Sequence, residues 1–120
     1  MSEDTPAVVQ HADTAYEAIR SINHLTRGTV PAPLAYSILG NLKNVGHLLP
    51  QALGQIGAGL ERSLTEYDVY DRDREPAESV ALAQDYLEQA ATKAAEMGQL
   101  LEKAQSAINS QGYTTADDPA

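Results

Sequence analysis

Apolar residues recur along this chain at helical spacing in three successive stretches. Val8, Ala12, Ala15, Ile19 and Ile22 stand at alternating intervals of four and three residues, which lines one face of an α-helix. Thr5 before Pro6 is a capping residue followed by a proline suited to a first turn, while Arg27 and Gly28 supply a basic last turn and a residue able to turn left-handed. A first helix is predicted over 6–27. Its other face carries Asp13, Glu17, Arg20 and His24, a solvated set in which Glu17 and Arg20 form an i,i+3 pair.

Pro31 and Pro33 restrict the next connection to extended or turn geometry, with Pro33 able to begin a second helix. From there the triplets Ile38, Leu42, Val45, then Leu49, Leu53, Ile56, then Leu60, Leu64, Tyr67 repeat every eleven residues. Eleven residues fill three turns of a nearly straight helix, so one stripe can run unbroken from 38 to 67. Pro50 interrupts it, removing the amide that would bond the Gly46 carbonyl, at a cost of about 3 kcal/mol in a regular helix. The stripe keeps its phase across Pro50, so a kink or a short break is expected there.

Asp68 to Glu75 is acidic and turn-prone, and Pro76 restarts a helix. Val80, Ala83, Leu87, Ala90, Ala94, Met97, Leu101, Ala104 and Ile108 then keep heptad spacing. This predicts a third helix over 76–110, with alanine at 83, 90 and 104 narrowing its seam. Gly112 is a plausible stop. Residues 113–120, with Asp117 and Asp118, read as a disordered acidic tail. The expected fold is all-α: an antiparallel bundle of three long helices, the middle one kinked or broken at Pro50, forming a single domain over 1–112.

Composition narrows the core. The chain has 120 residues with no Phe, Trp or Cys, so alanine and leucine must fill it, which suits thin, closely approaching helices. Without cysteine there is no disulfide framework, thiolate metal site or thiol nucleophile. A net charge of -9 opposes the phosphate backbone that governs nucleic-acid affinity, so direct DNA or RNA binding is not expected. The uncharged stretch 44–60 is too short and too polar to span lipid, which argues against a membrane partner. The opening Met1-Ser2-Glu3-Asp4 has no basic region leading into an apolar run, so a cytoplasmic location is expected, with a non-classical secretion route as the variant.

Charge is distributed unevenly. Between Gly28 and Leu60 there is no acidic residue and one base, Lys43. Surface helices normally carry charge on their exposed face; here that face offers Ser37, Asn41, Asn44, His47, Gln51 and Gln55 with several glycines. The segment is therefore expected either to be covered by its own neighbours or to form a self-association surface. The candidate interface residues are Leu48, Leu49, Leu53 and Ile56, and the expected partner is a second copy or another protein.

No pattern supports catalysis. His11, His24 and His47 have no partner at i,i+3 or i,i+4, so no metal or other cofactor is expected. Asp71, Asp73 and Glu75 imitate the start of a calcium loop, but Pro76 stands where glycine is needed and Leu82 where the bidentate glutamate belongs. Gly54, Gly57 and Gly59 have neither the order nor the setting of a phosphate-binding loop. No serine sits in a nucleophile elbow. The expectation is a non-enzymatic helical interaction or scaffolding module, with an acidic regulatory partner of a basic protein as an alternative that matches the charge.

Two resemblances bear on this. Tyr113-Thr-Thr-Ala-Asp117 after the last helix resembles the Tyr-x-x-x-Asp/Glu export signal of type VII secretion substrates, which implies a secreted helical hairpin; the Trp-x-Gly turn of that family is missing. Leu48-Leu49-Pro50-Gln51-Ala52-Leu53, Tyr67-Asp-Val-Tyr70 and the run from Glu75 to Val80 resemble small helical proteins of actinobacterial genomes and their mobile elements. That group has no established activity. The resemblance implies a shared helical architecture over 11–113 and carries no catalytic residue across.

Overall fold

The computed structural model describes residues 4–115. Three long helices follow one another: α1 (Ala7–Leu25), α2 (Ala32–Glu66) and α3 (Pro76–Ala107). No strand occurs among the described residues, so the protein is all-α. The chain separates into two compact units, Met1–Pro31 and Ala32–Ala120, which are described in turn. The expected acidic tail and the Tyr113 to Asp117 signal fall partly outside the described residues, because 116–120, including Asp117 and Asp118, are not among them.

In the first unit, α1 begins one residue later than the sequence suggests. Pro6, not Thr5, is the N-cap, with no side-chain cap bond, while Gln10 Nε2 reaches back to donate to the Thr5 carbonyl at 2.7 Å. The helix ends at Thr26, whose backbone N–H and hydroxyl both donate to the Ile22 carbonyl, at 3.0 and 2.7 Å. Thr26 therefore stops the helix before Gly28, which does not adopt the expected left-handed conformation. Arg20 lies 3.2 Å from Glu17 and over the Tyr16 ring, an exposed cluster worth little to stability. Val8, Val9, Ile19 and Leu25 are all exposed.

In the second unit, α2 and α3 lie antiparallel. Gly40 faces Gln105, Gly46 faces Gly98 and Gly57 faces Gln84, so positions rising along α2 meet positions falling along α3. A single helix continues through Pro50, resolving the expected kink or break in favour of one element. Pro76 occupies the first turn of α3 as predicted, with Glu75 as N-cap.

The faces that meet are rotated part of the way from the predicted stripes, so that each stripe lies partly in the seam and partly beside it. On α2 the buried positions are Gly46 and Gly57, eleven residues apart, where the stripe calls for Val45 and Ile56. The period is right and the phase is partly so: Leu42, Leu49, Leu53 and Leu64 of the stripe are half-buried, whereas Val45, Ile56 and Tyr67 are exposed. On α3 the predicted row Val80, Leu87, Ala94, Leu101 and Ile108 does turn inward. Its companion row is Gln84, Ala91, Gly98 and Gln105, whereas Ala90, Met97 and Ala104 are exposed. Gly46 explains the phase. A Cβ placed on it would lie 2.7 Å from Gly98 Cα and 3.1 Å from the Ala94 carbonyl oxygen, so the two backbones meet where no larger residue fits.

Two glutamines close the seam at its ends. Gln105 Nε2 donates to the Tyr36 carbonyl at 3.1 Å and Gln84 Nε2 to the Gly57 carbonyl at 3.0 Å. The donors and their acceptors have the same 21-residue separation on the two helices, so sliding one helix along the other breaks both bonds together. Gln105→Ala is expected to lower hairpin stability by about 1–2 kcal/mol through loss of a largely buried hydrogen bond. A urea midpoint equal to that of the unsubstituted protein would remove the clamp from this account.

The connection before α3 is held by Asp71. Its carboxylate accepts from the Asp73 amide at 2.9 Å, from the Arg74 amide at 3.3 Å and from the Ser79 hydroxyl. The acidic run therefore closes the loop and ties it to the Ser79 hydroxyl in the first turn of α3, where Glu75 forms no side-chain cap. The Ser79 hydroxyl, with the Asp73 amide second, holds the Asp71 carboxyl below its ordinary value of 3.8. A lowered pKa stabilises the fold above the unfolded value and ceases to do so as pH falls through the folded one. Asp71→Asn should thus speed exchange of the Asp73 and Arg74 amides at neutral pH, and the two proteins should converge under acid. A difference that persisted at pH 2 would contradict the assignment.

Candidate interaction surface

The seam divides the hairpin into two unlike sides. On one, His47 Nε2 stands 3.6 Å from Glu102 Oε2, with the His47 ring packed over Gly98. Further along the same side, Gln84 bridges to Glu61 at 3.2 Å, beside a notch lined by Gly54, Gly57, Ala58, Glu88 and Ala91. This side is polar and charged.

The other side is apolar and open. Leu34, Val45, Ile56 and Tyr67 recur at eleven-residue intervals along α2 and just past its end, and they are 51, 45, 53 and 70% exposed. Leu48 and Leu60 are exposed beside them, and Leu82, Tyr86, Met97 and Leu100 are exposed on α3. Two right-handed helices running antiparallel turn the corresponding flanks of their seams to one side, so both rows contribute to one surface. Among the exposed large apolar residues of α2 and α3, Tyr36 alone lies on the polar side. That separates a patch from ordinary scatter. Glu66 and Lys93 stand at its margins, the latter 3.7 Å from Glu96.

The four residues that the sequence singles out divide into two pairs. Leu48 and Ile56 are exposed: Ile56 on the open side, next to buried Gly57, and Leu48, two residues past buried Gly46, facing away from α3. Leu49 and Leu53 are half-buried toward α3, where Leu53 lines the seam with Gly57, Gln84 and Leu87. The contribution of α3 to the surface is absent from the sequence reading. Its signal was present, since Leu82, Tyr86 and Leu100 sit at helical spacing beside the heptad row to which Met97 belongs. Reading α3 by its best single stripe hid them.

Comparison with family models, curated proteins and solved structures yields no match for the chain. Among the described residues no helix is long and apolar enough to cross a membrane. Asp71, whose carboxylate accepts three hydrogen bonds, is engaged in holding the loop before α3. The unsatisfied feature of the hairpin is apolar area.

Proposed function

We propose that this protein is a non-enzymatic helical interaction module that self-associates through the open apolar side of its α2–α3 hairpin. One observation carries the reading: large aliphatic side chains stand exposed at eleven-residue intervals on a helix that has no acidic residue before Glu61. Copies of a chain with net charge -9 repel one another. A face whose carboxylate, Glu66, lies only at its margin lets them meet without burying like charges.

The size of the surface supports a second copy as occupant. From Leu34 to Leu60 the rise is about 39 Å, and two helices about 9 Å apart give a face of about 750 Å² per copy. A pair would bury about 1,500 Å², within the range of stable protein interfaces. The hairpin has reason to need it, since Ala94, at 7% exposure, is the buried hydrophobic residue among those described and no side chain is fully buried. The cytoplasm is the compartment this reading assigns, which fractionation of the native host would test.

Light scattering across low to high micromolar concentration tests the proposal directly. The expected mass is twice 12.8 kDa or more. A species that stays at the monomer mass throughout would overturn it.

A further inference from the structure

Taking the self-association reading as its basis, we infer that two copies pair antiparallel, about a two-fold axis that crosses the helices, so that the 67–75 connections lie at opposite ends of the pair. A face that meets its own copy does so about a two-fold axis in the plane of contact. Here that axis runs either along the helices or across them. Along the helices it brings both connections to one end, and across them it sends the connections to opposite ends.

Charge decides between the two. From Glu61 to Glu88, the end of the hairpin that holds the connection, nine acidic and three basic residues give a net charge of -6. The rest of the hairpin, 32–60 and 89–115, holds three lysines against two glutamates, a net charge of +1 with histidine left aside. An axis along the helices would set the two -6 ends side by side. Packed helix axes lie about 8 to 10 Å apart, close to one Debye length at physiological salt, so screening leaves much of that repulsion in place. An axis across the helices sets each -6 end beside a +1 end instead. Like charges brought together disfavour the wrong arrangement, and this one avoids them.

The open side accommodates it. The stretch from Leu34 to Leu60 has its midpoint at position 47, level with Met97 because Gly46 lies beside Gly98. An axis passing there sets Ile38 level with Ile56 of the other copy, and Met97 level with its own counterpart, so apolar residues of both helices meet.

Because the chain has no cysteine, a single thiol can carry a nitroxide label. Tyr70→Cys suits the purpose, since Tyr70 is 92% exposed in the connection and belongs to neither helix. The labelled full-length protein is examined by pulsed electron paramagnetic resonance. From position 47 to the end of α2 at Glu66 the rise is about 28 Å, so the two labels should stand about 57 Å apart, with the distance distribution peaking above about 45 Å. An axis along the helices would hold them within about 30 Å, given the spacing of packed helices. Light scattering on the same samples separates the two levels of failure. An assembled species whose labels peak short of the expected range overturns the antiparallel pairing while leaving self-association standing. Monomer mass for the unsubstituted protein overturns both.

Discussion

Replacing Gly46 with valine should separate α2 from α3. A side chain at this position meets backbone, with Gly98 Cα at 2.7 Å and Gly98 N at 2.8 Å, so no rotamer change in a neighbour can relieve the clash. Overpacking against yielding side chains costs about 1–3 kcal/mol, and a contact made with a helix backbone belongs at or above the upper end. The hairpin has little reserve, because its seam buries glycine, alanine and glutamine in place of large apolar groups. The expected readout is loss of the cooperative thermal transition in circular dichroism at 222 nm. Gly54→Ala is the matched control. Nothing lies within 4 Å of a Cβ added there, so the substitution should stabilise α2 by about 0.5–1 kcal/mol through its better helix propensity. If both variants melted alike, the close approach of Gly46 and Gly98 would not be what holds the pair.

Ile56→Asp should dissociate the assembly without unfolding the hairpin. Ile56 is exposed on the open side, so an isolated chain can solvate the new carboxylate, whereas a two-fold pair would bury it twice. An unpaired buried carboxylate costs several kcal/mol, and about 2.7 kcal/mol already corresponds to a hundredfold in dissociation constant. The mass by light scattering should fall to 12.8 kDa with the helical signal retained. Leu53→Asp should behave differently. Leu53 lines the seam with Gly57, Gln84 and Leu87, so a carboxylate there breaks the hairpin itself and helicity falls along with mass. Retention of the oligomer by Ile56→Asp would move the interface off this side of the molecule.

The helices could be read in outline because each begins and ends on local chemistry. Pro76 marks the start of α3 through its fixed φ and missing amide, and the eleven-residue repeat on α2 survives in the alternation of Gly46 and Gly57. The phase of each stripe was legible only in part, since one row of each turns inward and the other stays exposed. Hydrophobic periodicity ranks valine and isoleucine above glycine and glutamine as seam residues, yet Gly46, Gly57, Gly98 and Gln105 are buried beside Ala94, the one buried member of the predicted rows among the described residues. Glycine contributes nothing to an apolar stripe, and its value at a helix crossing arises only when a second backbone arrives. Glutamine scores as polar until a carbonyl of the facing helix stands at hydrogen-bond distance, as Tyr36 and Gly57 provide for Gln105 and Gln84. The four candidate interface residues were legible as a charge-free cluster, but their division between seam and open side depends on that same phase.

By itself, then, the order of residues determined the helical class, the approximate extent of three helices, the acidity of the chain and the segment from which charge is withheld. These follow from spacing and composition, which act within a few turns of one chain. Which face of α2 meets α3, and therefore which leucines remain open to a partner, was decided only when two backbones came together at Gly46 and Gly98. Close contact between distant segments is a property of both surfaces at once, and neither stretch of sequence contains it alone.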